Sequence, residues 1–481
     1  MRHIKHFLFI ATMISIFTIS YTKEEHIAQH EKEKPIVVVI PSYNNKDWYK
    51  KNLDSVFNQK YENYRVIYIN DRSPDSTGQL VEKYVKKCNQ THRFTLINNE
   101  KNAGALANLY KTIHTCQDDE IIAQLDGDDW FAHNNVLQKI NAVYQDPNIW
   151  MTYGQYETLI YSKSKKKFYK IKGGCKAISH NIVRANAYRE NRWKSSALRT
   201  FYAGLFKQIK LEDLIENGSF YKVTWDLAMI FPMLEMSGGR FKFIDEILYT
   251  YNCITALNDF KMRVKEQLHT ENIARAKPKY KAVASIYHPI DSNQNIDIII
   301  LSDDTSNKKV SDLIESIHTY ALGVGNIYVL HNSINLKNAI LEKINQSPNK
   351  CVMFTKDNMR LDDFVNFSEC AELIEQTYAY GFFLSLDKNI TRNCDLVRDQ
   401  KIPPSVPIKN DILAWKFEEG EYEFRTPNNL NMTIYRKKDI VRSLKNLIFS
   451  SCQDLEHLWN NELFDLYKVG LFFEKAKTVT R

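Results

Sequence analysis

Between Pro35 and Leu125 the chain alternates short apolar or β-branched runs with longer stretches whose apolar residues recur at helical spacing. Strands that alternate with helices build a largely parallel sheet, because parallel neighbours need a crossover of a dozen or more residues. Strands are expected at Ile36-Val37-Val38-Val39-Ile40, closed by Pro41, at Tyr64 to Asn70, at Phe94 to Ile97 and at Glu120 to Leu125. Helices are expected at Lys46 to Gln59, with Trp48, Leu53, Val56 and Phe57 facing inward, at Thr77 to Lys87 and at Ala103 to Cys116. Open sheets of this kind bind ligands beyond the carboxyl ends of their strands. Asp71 stands at one such end and the turn Leu125-Asp126-Gly127-Asp128-Asp129-Trp130 at another. Clustered carboxylates suit Mg²⁺ or Mn²⁺, although an Asp-Gly bend between two elements uses the same residues.

A chain of 481 residues exceeds one hydrophobic core, so two or three domains are expected. The net charge of +8 is a diffuse excess, which argues against a nucleic-acid partner. One basic cluster, Lys163 to Lys167 continuing to Lys170, Lys172 and Lys176, reads as a solvated loop; an anionic acceptor or a membrane surface would also fit its charge. Eight cysteines without a close pair exclude a zinc finger and a disulfide scaffold, while leaving isolated disulfides open. Arg2 and Lys5 precede an apolar stretch, Phe7 to Ser20, and a charged segment follows from Lys23. That layout fits a signal peptide or a short membrane anchor over residues 1–22, so the protein is expected to be membrane-associated or exported, with a cytoplasmic location as the alternative.

After Trp150 the pattern loosens into a polar, Lys-rich and aromatic region through Tyr221, where an acceptor-binding insertion is expected. A helix resumes at Trp225 to Ser237 and stops at Gly238-Gly239, and Phe241 to Tyr251 is strand-like. Residues 261–290 read as a linker. A second α/β alternation follows over 291–481: strands at Ile296 to Leu301, Asn326 to Leu330 and Lys350 to Phe354, helices at Lys309 to Leu322 and Leu336 to Ile344. Where an acidic turn would recur stands Thr355-Lys356-Asp357-Asn358, so this domain resembles the first but lacks its metal motif.

Four motifs in order make the first half resemble glycosyltransferase family 2, whose GT-A fold binds nucleotide sugars: Pro41-Ser42-Tyr43-Asn44-Asn45; Asn70-Asp71-Arg72-Ser73-Pro74-Asp75; Asn99-Glu100-Lys101-Asn102-Ala103-Gly104; and Asp126-Gly127-Asp128-Asp129. The resemblance covers residues 35–260 and implies a GT-A-type, Rossmann-like catalytic domain. It implies a donor site of Pro41, Tyr43, Asp71, Asn102, Gly104, Asp126 and Asp128. In it Asp71 accepts from the nucleobase, Asp126 sits near the ribose, Asp128 ligates Mn²⁺ or Mg²⁺, and Asp129 supports from behind. It also implies a general base in a Glu-Asp pair ahead of a helix. Asp226 takes that position, with Trp225 in place of the Glu, and the other reading of Asp226 is a helix cap. The literal pair, Glu212-Asp213, stands too far from Gly238.

The function these residues imply is a metal-dependent, inverting transferase that moves one sugar from a nucleotide-diphosphate donor to a hydroxyl of a glycan, lipid or protein. A catalytically silent nucleotide- or glycan-binding protein is the alternative, motivated by the missing Glu. Arg189-Glu190-Asn191-Arg192-Trp193 lacks the Gln of the processive synthases' Gln-x-x-Arg-Trp motif, which favours transfer of a single sugar. No Gly-rich phosphate loop follows the first strand, which argues against a nucleotidyltransferase. Lys261, Arg263 and His269 are candidates to close over the diphosphate.

Overall fold

The structure, a computed structural model, describes residues 32–162, 164–254, 263–287, 295–303, 307–393 and 398–480. The amino-terminal apolar segment and Lys261 lie outside them. No helix among the described residues is long and apolar enough to cross a membrane.

All seven residues of the first strand, β1 (Ile36–Ser42), are buried. It runs parallel between β2 (Tyr64–Asn70) and β4 (Ile121–Gln124), and β3 (Phe94–Asn98) extends the parallel set beyond β2. A strand covered on both faces by crossover helices has no solvent side, which is why it reads as an unbroken apolar run and not an alternation. Beyond β4 the sheet turns mixed. The antiparallel β8 (Arg199–Tyr202) joins β4 to β6 (Met151–Ser162), and β11 (Phe241–Asn252) then lies parallel to β6. The short β5 (Trp130–Phe131), just after the acidic turn, pairs with the carboxyl end of β11. β7 (Lys167–Lys172) continues β6 as a hairpin in the region that seemed irregular in sequence. Two further short strands, β9 (Ile215–Glu216) and β10 (Ser219–Phe220), form a separate ribbon.

The second half repeats the order of six of these strands, from β2 to β11, and adds Ile412–Lys416 and Val406–Lys409 beyond them. Its first strand, Ile296–Ser302, lies parallel between Val324–His331 and Cys351–Lys356, as β1 does between β2 and β4. The next neighbour, Thr433–Arg436, is antiparallel and late in the chain, like β8; Gly381–Phe383 beyond it comes earlier, like β6; and Val469–Phe473 returns parallel, like β11. The short strand Met359–Leu361 even pairs with the terminal Thr478–Thr480 as β5 pairs with the end of β11.

The crevice at the carboxyl ends of this second sheet is filled by its own chain. Ser302 Oγ donates to Asp357 (2.5 Å), Lys356 pairs with Glu456 (3.0 Å), and Cys452 N donates to Asn332 (2.8 Å). The turn after the third strand has shrunk to Asp357 and Asn358, and Asp357 N donates to Leu301 O (3.2 Å).

Residues 263–287, within the stretch that reads as a linker, carry a helix, Val264–Ala276, and fold back on the helix Trp225–Ser237. The attachment centres on a buried ion pair. Arg189 meets Glu235 through two bonds of 2.6 and 2.8 Å, Arg189 also donates to Ala274 O (2.6 Å), and Tyr280 N donates to Glu235 (2.9 Å). Removing one partner of such a pair strands the other charge in the interior. Glu235→Ala is therefore expected to lower the stability of the amino-terminal domain by about 3–5 kcal/mol in denaturant titrations of the full chain. A loss below about 1 kcal/mol would show that water reaches Arg189.

Candidate functional site

The acidic turn is built around its last carboxylate. Asp129 is fully buried; its two oxygens accept from Tyr249 Oη (2.5 Å) and from Asn252 N (2.7 Å), both at the end of β11. Burial, with Asp128 and Asp126 beside it, pushes the Asp129 carboxyl well above the usual range. Asn52, buried on the helix Tyr49–Phe57, donates to the carbonyls of Asp126 (3.0 Å) and Asp129 (2.8 Å), and Asn252 donates to that of Asp128 (3.1 Å). With its backbone held on both sides, the turn leaves Asp126 and Asp128 half-buried, whereas Asp129 is fully enclosed. Burial also raises the Asp126 carboxyl and the charge of Asp226 adds to the rise, while Arg199 and a bond from Gln124 act against it.

Gly127 makes the turn's close approach to β1. Its N donates to Pro41 O (3.1 Å), and a Cβ at this residue would lie 2.6 Å from Ser42 Oγ and 2.7 Å from Asn45 Nδ2. Ser42 Oγ is itself fixed by donors from Tyr68 (2.7 Å) and Asn45 (2.9 Å). Tyr43, next along, is exposed at the rim, whereas Pro41 is buried within β1.

Asp71 sits buried at the end of β2. Oδ1 accepts from Asn99 Nδ2 (2.7 Å) and Ala103 N (2.8 Å), Oδ2 from Gly104 N (2.8 Å), and Asn102 donates to Asp71 O (3.1 Å). The Asn-Ala-Gly turn is thus clamped to Asp71, and Gly104 is needed there because its φ is +87°. A carboxylate accepts about four hydrogen bonds. Oδ2, with one protein donor, is the oxygen that would take a nucleobase N–H.

Asp226 lies in the first turn of the helix Trp225–Ser237, but it does not cap it; the N-cap residue is Thr224. Its carboxylate instead accepts from Arg199 Nη2 (2.7 Å), and Arg199 Nε is tied to Ser195 O (3.2 Å). Arg199, on β8, therefore faces both the donor acids and the candidate base. The Glu212-Asp213 pair lies elsewhere, buried where the two halves meet. Tyr280 donates to Asp213 (2.5 Å), Lys277 to Asp213 O (2.6 Å), and Tyr467 of the second half to Glu212 O (3.0 Å). Of the cations considered for the diphosphate, Arg263 faces Glu266 (3.8 Å) and His269 faces Glu216 (3.8 Å).

The sequence did not single out Arg199, Asn52, Tyr249 and Asn252. The last two stand some 120 residues after the acids they hold and carry no local signal, and Arg199 opens a four-residue strand in the polar region.

Among the described residues no three His, Cys, Asp or Glu side chains converge on one point. Mg²⁺ commonly takes only one or two protein carboxylates and completes its shell with substrate phosphates and water. Asp128 and Asp126 fit that demand: two half-buried hard-oxygen donors, the second with its carboxyl raised chiefly by burial. All seven described cysteines are free thiols.

A mixed sheet of this connectivity, ending in an acidic turn at its carboxyl edge, is a GT-A-type fold. Residues 37–214 match the family model for glycosyl transferase family 2, and this part of the chain belongs to that family. The chain is 28% identical over 185 residues to glycosyltransferase GlyA of Streptococcus pneumoniae, covering 37% of this chain and 25% of GlyA. It is 34% identical over 105 residues to an uncharacterized glycosyltransferase of Rickettsia bellii, covering 22% and 14%. Against the Escherichia coli UDP-Glc:alpha-D-GlcNAc-diphosphoundecaprenol beta-1,3-glucosyltransferase WfgD it is 29% identical over 124 residues, covering 26% and 46%. The chain thus spans a quarter or less of the length of the first two relatives. Staphylococcus aureus TarS 1–349 with UDP-GlcNAc superposes with a TM-score of 0.35 at 16% identity, covering 46% of this chain and 59% of that one.

Two outcomes test this geometry. Gly127→Ala drives a methyl into Ser42 and Asn45, so it is expected to cost about 1–3 kcal/mol and to lower the melting temperature by several degrees. The second concerns Glu212, whose carboxyl is pushed up to about 7 by burial and then by Asp213. Between 4.5 and about 7 the folded chain keeps a proton that the unfolded chain releases, so stability falls as pH rises through that window. Glu212→Gln should flatten that slope and stabilise the protein at pH about 8 by on the order of 1–3 kcal/mol, read from unfolding midpoints across pH.

Proposed function

We propose that the protein is a metal-dependent, inverting glycosyltransferase that moves a single sugar from a nucleotide-diphosphate donor to an acceptor hydroxyl. The observation that carries this reading is the pairing of Asp226 with Arg199, whose charge also acts on Asp126. The candidate base and the donor acids thus belong to one electrostatic site, although they stand about a hundred residues apart in sequence.

In this reading Asp71 and the turn it clamps receive the nucleobase, and Asp126 and Asp128 face the ribose and diphosphate. A divalent cation, Mn²⁺ or Mg²⁺, held by Asp128 with Asp126 beside it would supply Lewis-acid neutralisation of the departing diphosphate. Asp226 takes the acceptor's proton while the acceptor oxygen bonds to the anomeric carbon. The bond from that carbon to the diphosphate oxygen breaks on the opposite face, which inverts the configuration. Arg199, bonded to the Asp226 carboxylate, orients it for this step. Trp225, half-buried beside Asp226, offers an apolar face to the acceptor sugar. We place the body of the protein in the compartment of its nucleotide sugar, with the amino-terminal segment as its membrane attachment. The acceptor is a glycan, lipid or protein hydroxyl; WfgD, by its name, uses a sugar linked to a lipid diphosphate.

The same Arg199–Asp226 pair favours a second reading, a binding protein whose would-be base is neutralised. A panel of nucleotide sugars with Mn²⁺ or Mg²⁺ separates the two. For the enzyme, Asp128→Ala should abolish metal-dependent thermal stabilisation by the donor, and Asp226→Asn should keep that stabilisation while turnover falls about 10²–10⁴-fold. Donor binding without turnover, unchanged in Asp226→Asn, would support the binding protein. No donor binding across the panel would sink both.

A further inference from the structure

We propose that the tip of the β6–β7 hairpin docks the mouth of the site onto an anionic lipid surface. The hairpin stands beside that mouth: Asn252 holds the carbonyl of Asp128, and the next residue, Cys253, donates from its N to Leu159 O of β6 (3.0 Å). From there the two strands run outward, and their outer ends carry apolar side chains on both faces. Tyr161 and Phe168 sit opposite each other with ring centroids 5.0 Å apart, 44% and 56% exposed. On the other face half-buried Ile160 and Tyr169 sit opposite each other near the tip, and Ile171, opposite Thr158 and nearer the base, is 53% exposed.

Charge is distributed along the hairpin in step with this. Nearer the base, Lys170 is paired with Glu157, and Lys172 with Asp245 (3.2 Å). At the tip Lys165, Lys166 and Lys167 are exposed and, among the described residues, stand in no ion pair; Lys165 and Lys167 lie 5.8 and 5.9 Å over the Tyr169 ring. A solvated lysine loop has no use for large apolar side chains at its tip. A glycan strand would stack on one aromatic face and leave the other bare. Aromatic rings and lysine stems together suit a bilayer interface, where the ring sits at headgroup depth and the ammonium meets lipid phosphate. Stable attachment takes two weak signals acting together, and this tip supplies an apolar and an electrostatic one. A site mouth held against lipid takes an acceptor carried on that surface. This last step rests on the transferase reading above; the docking does not.

The test uses the full chain in flotation with phosphatidylcholine vesicles, with and without phosphatidylglycerol, and with heparin as a soluble polyanion. The amino-terminal segment is common to every variant, so differences report the hairpin. Lys165→Glu/Lys166→Glu/Lys167→Glu is expected to weaken binding to anionic vesicles by roughly a hundredfold. Tyr161→Ser/Phe168→Ser should weaken it at least tenfold. Both variants should consume donor in the absence of vesicles as the parent does. Vesicle binding equal to the parent's in both variants overturns the docking, and so does a loss confined to heparin binding. A parent chain that docks but turns over no donor upholds the docking and overturns the transferase.

Discussion

The site depends on one buried carboxyl group. Asp129 has no solvent contact, and taking a carboxylate out of water is costly unless fixed donors replace the water. Tyr249 and Asn252 supply them from the end of β11, a strand that reaches the turn only after more than a hundred residues of intervening chain. The bonds therefore do two things at once. They fasten the last strand of the sheet across the mouth of the first ones, and they orient the turn so that its other carboxylates point outward. Asn252, one residue before the hydrogen bond that roots the β6–β7 hairpin, carries the same constraint to the rim.

The second half shows the same scaffold without that constraint. Its strands follow the order and direction of the first half, yet the loop after the third strand is two residues long and no buried carboxylate organises it. The Lys356–Glu456 pair and the Cys452–Asn332 bond occupy the space that the first half leaves open. Shape alone thus separates the two crevices: one is rimmed by half-buried acids, the other closed by its own chain. The halves meet at Glu212, Asp213, Lys277 and Tyr467, where burial pushes one carboxyl up to about 7 and the Lys277 ammonium down to about 8.

Much of this was legible in sequence because its causes are local. Tyr64–Asn70, Thr77–Lys87 and Trp225–Ser237 fall at the expected residues, since a β-branched run, an amphipathic repeat and a terminal Gly-Gly each act over one element. The acidic turn and the Asn-Ala-Gly turn were visible for the same reason. The long hairpin escaped notice because half of it lies outside the core and shows no clean alternation. The helix Val264–Ala276 escaped because only Thr270 and Ala274 are buried, too few apolar positions to mark a face. Arg199, Tyr249 and Asn252 were illegible for a different reason. Each acts through a partner brought near only by the closed sheet, and nothing in the residues beside them announces it.

The acids of the turn stand close enough to act on one another. Asp126 feels the charges of both Asp226 and Arg199, and Arg199 spends its Nη2 bond on Asp226. Asp129 answers its burial with two donors and a strongly raised carboxyl. Asp126 has a long bond from Gln124 (3.3 Å) and help from Tyr249, and it stays raised by burial despite these and Arg199. A donor diphosphate arriving here would add negative charge to a place that already has too much. A divalent cation entering with the donor, as proposed above, would offset that charge. Arg199 meanwhile is committed to Asp226, which it orients through Nη2 while Ser195 O holds its Nε.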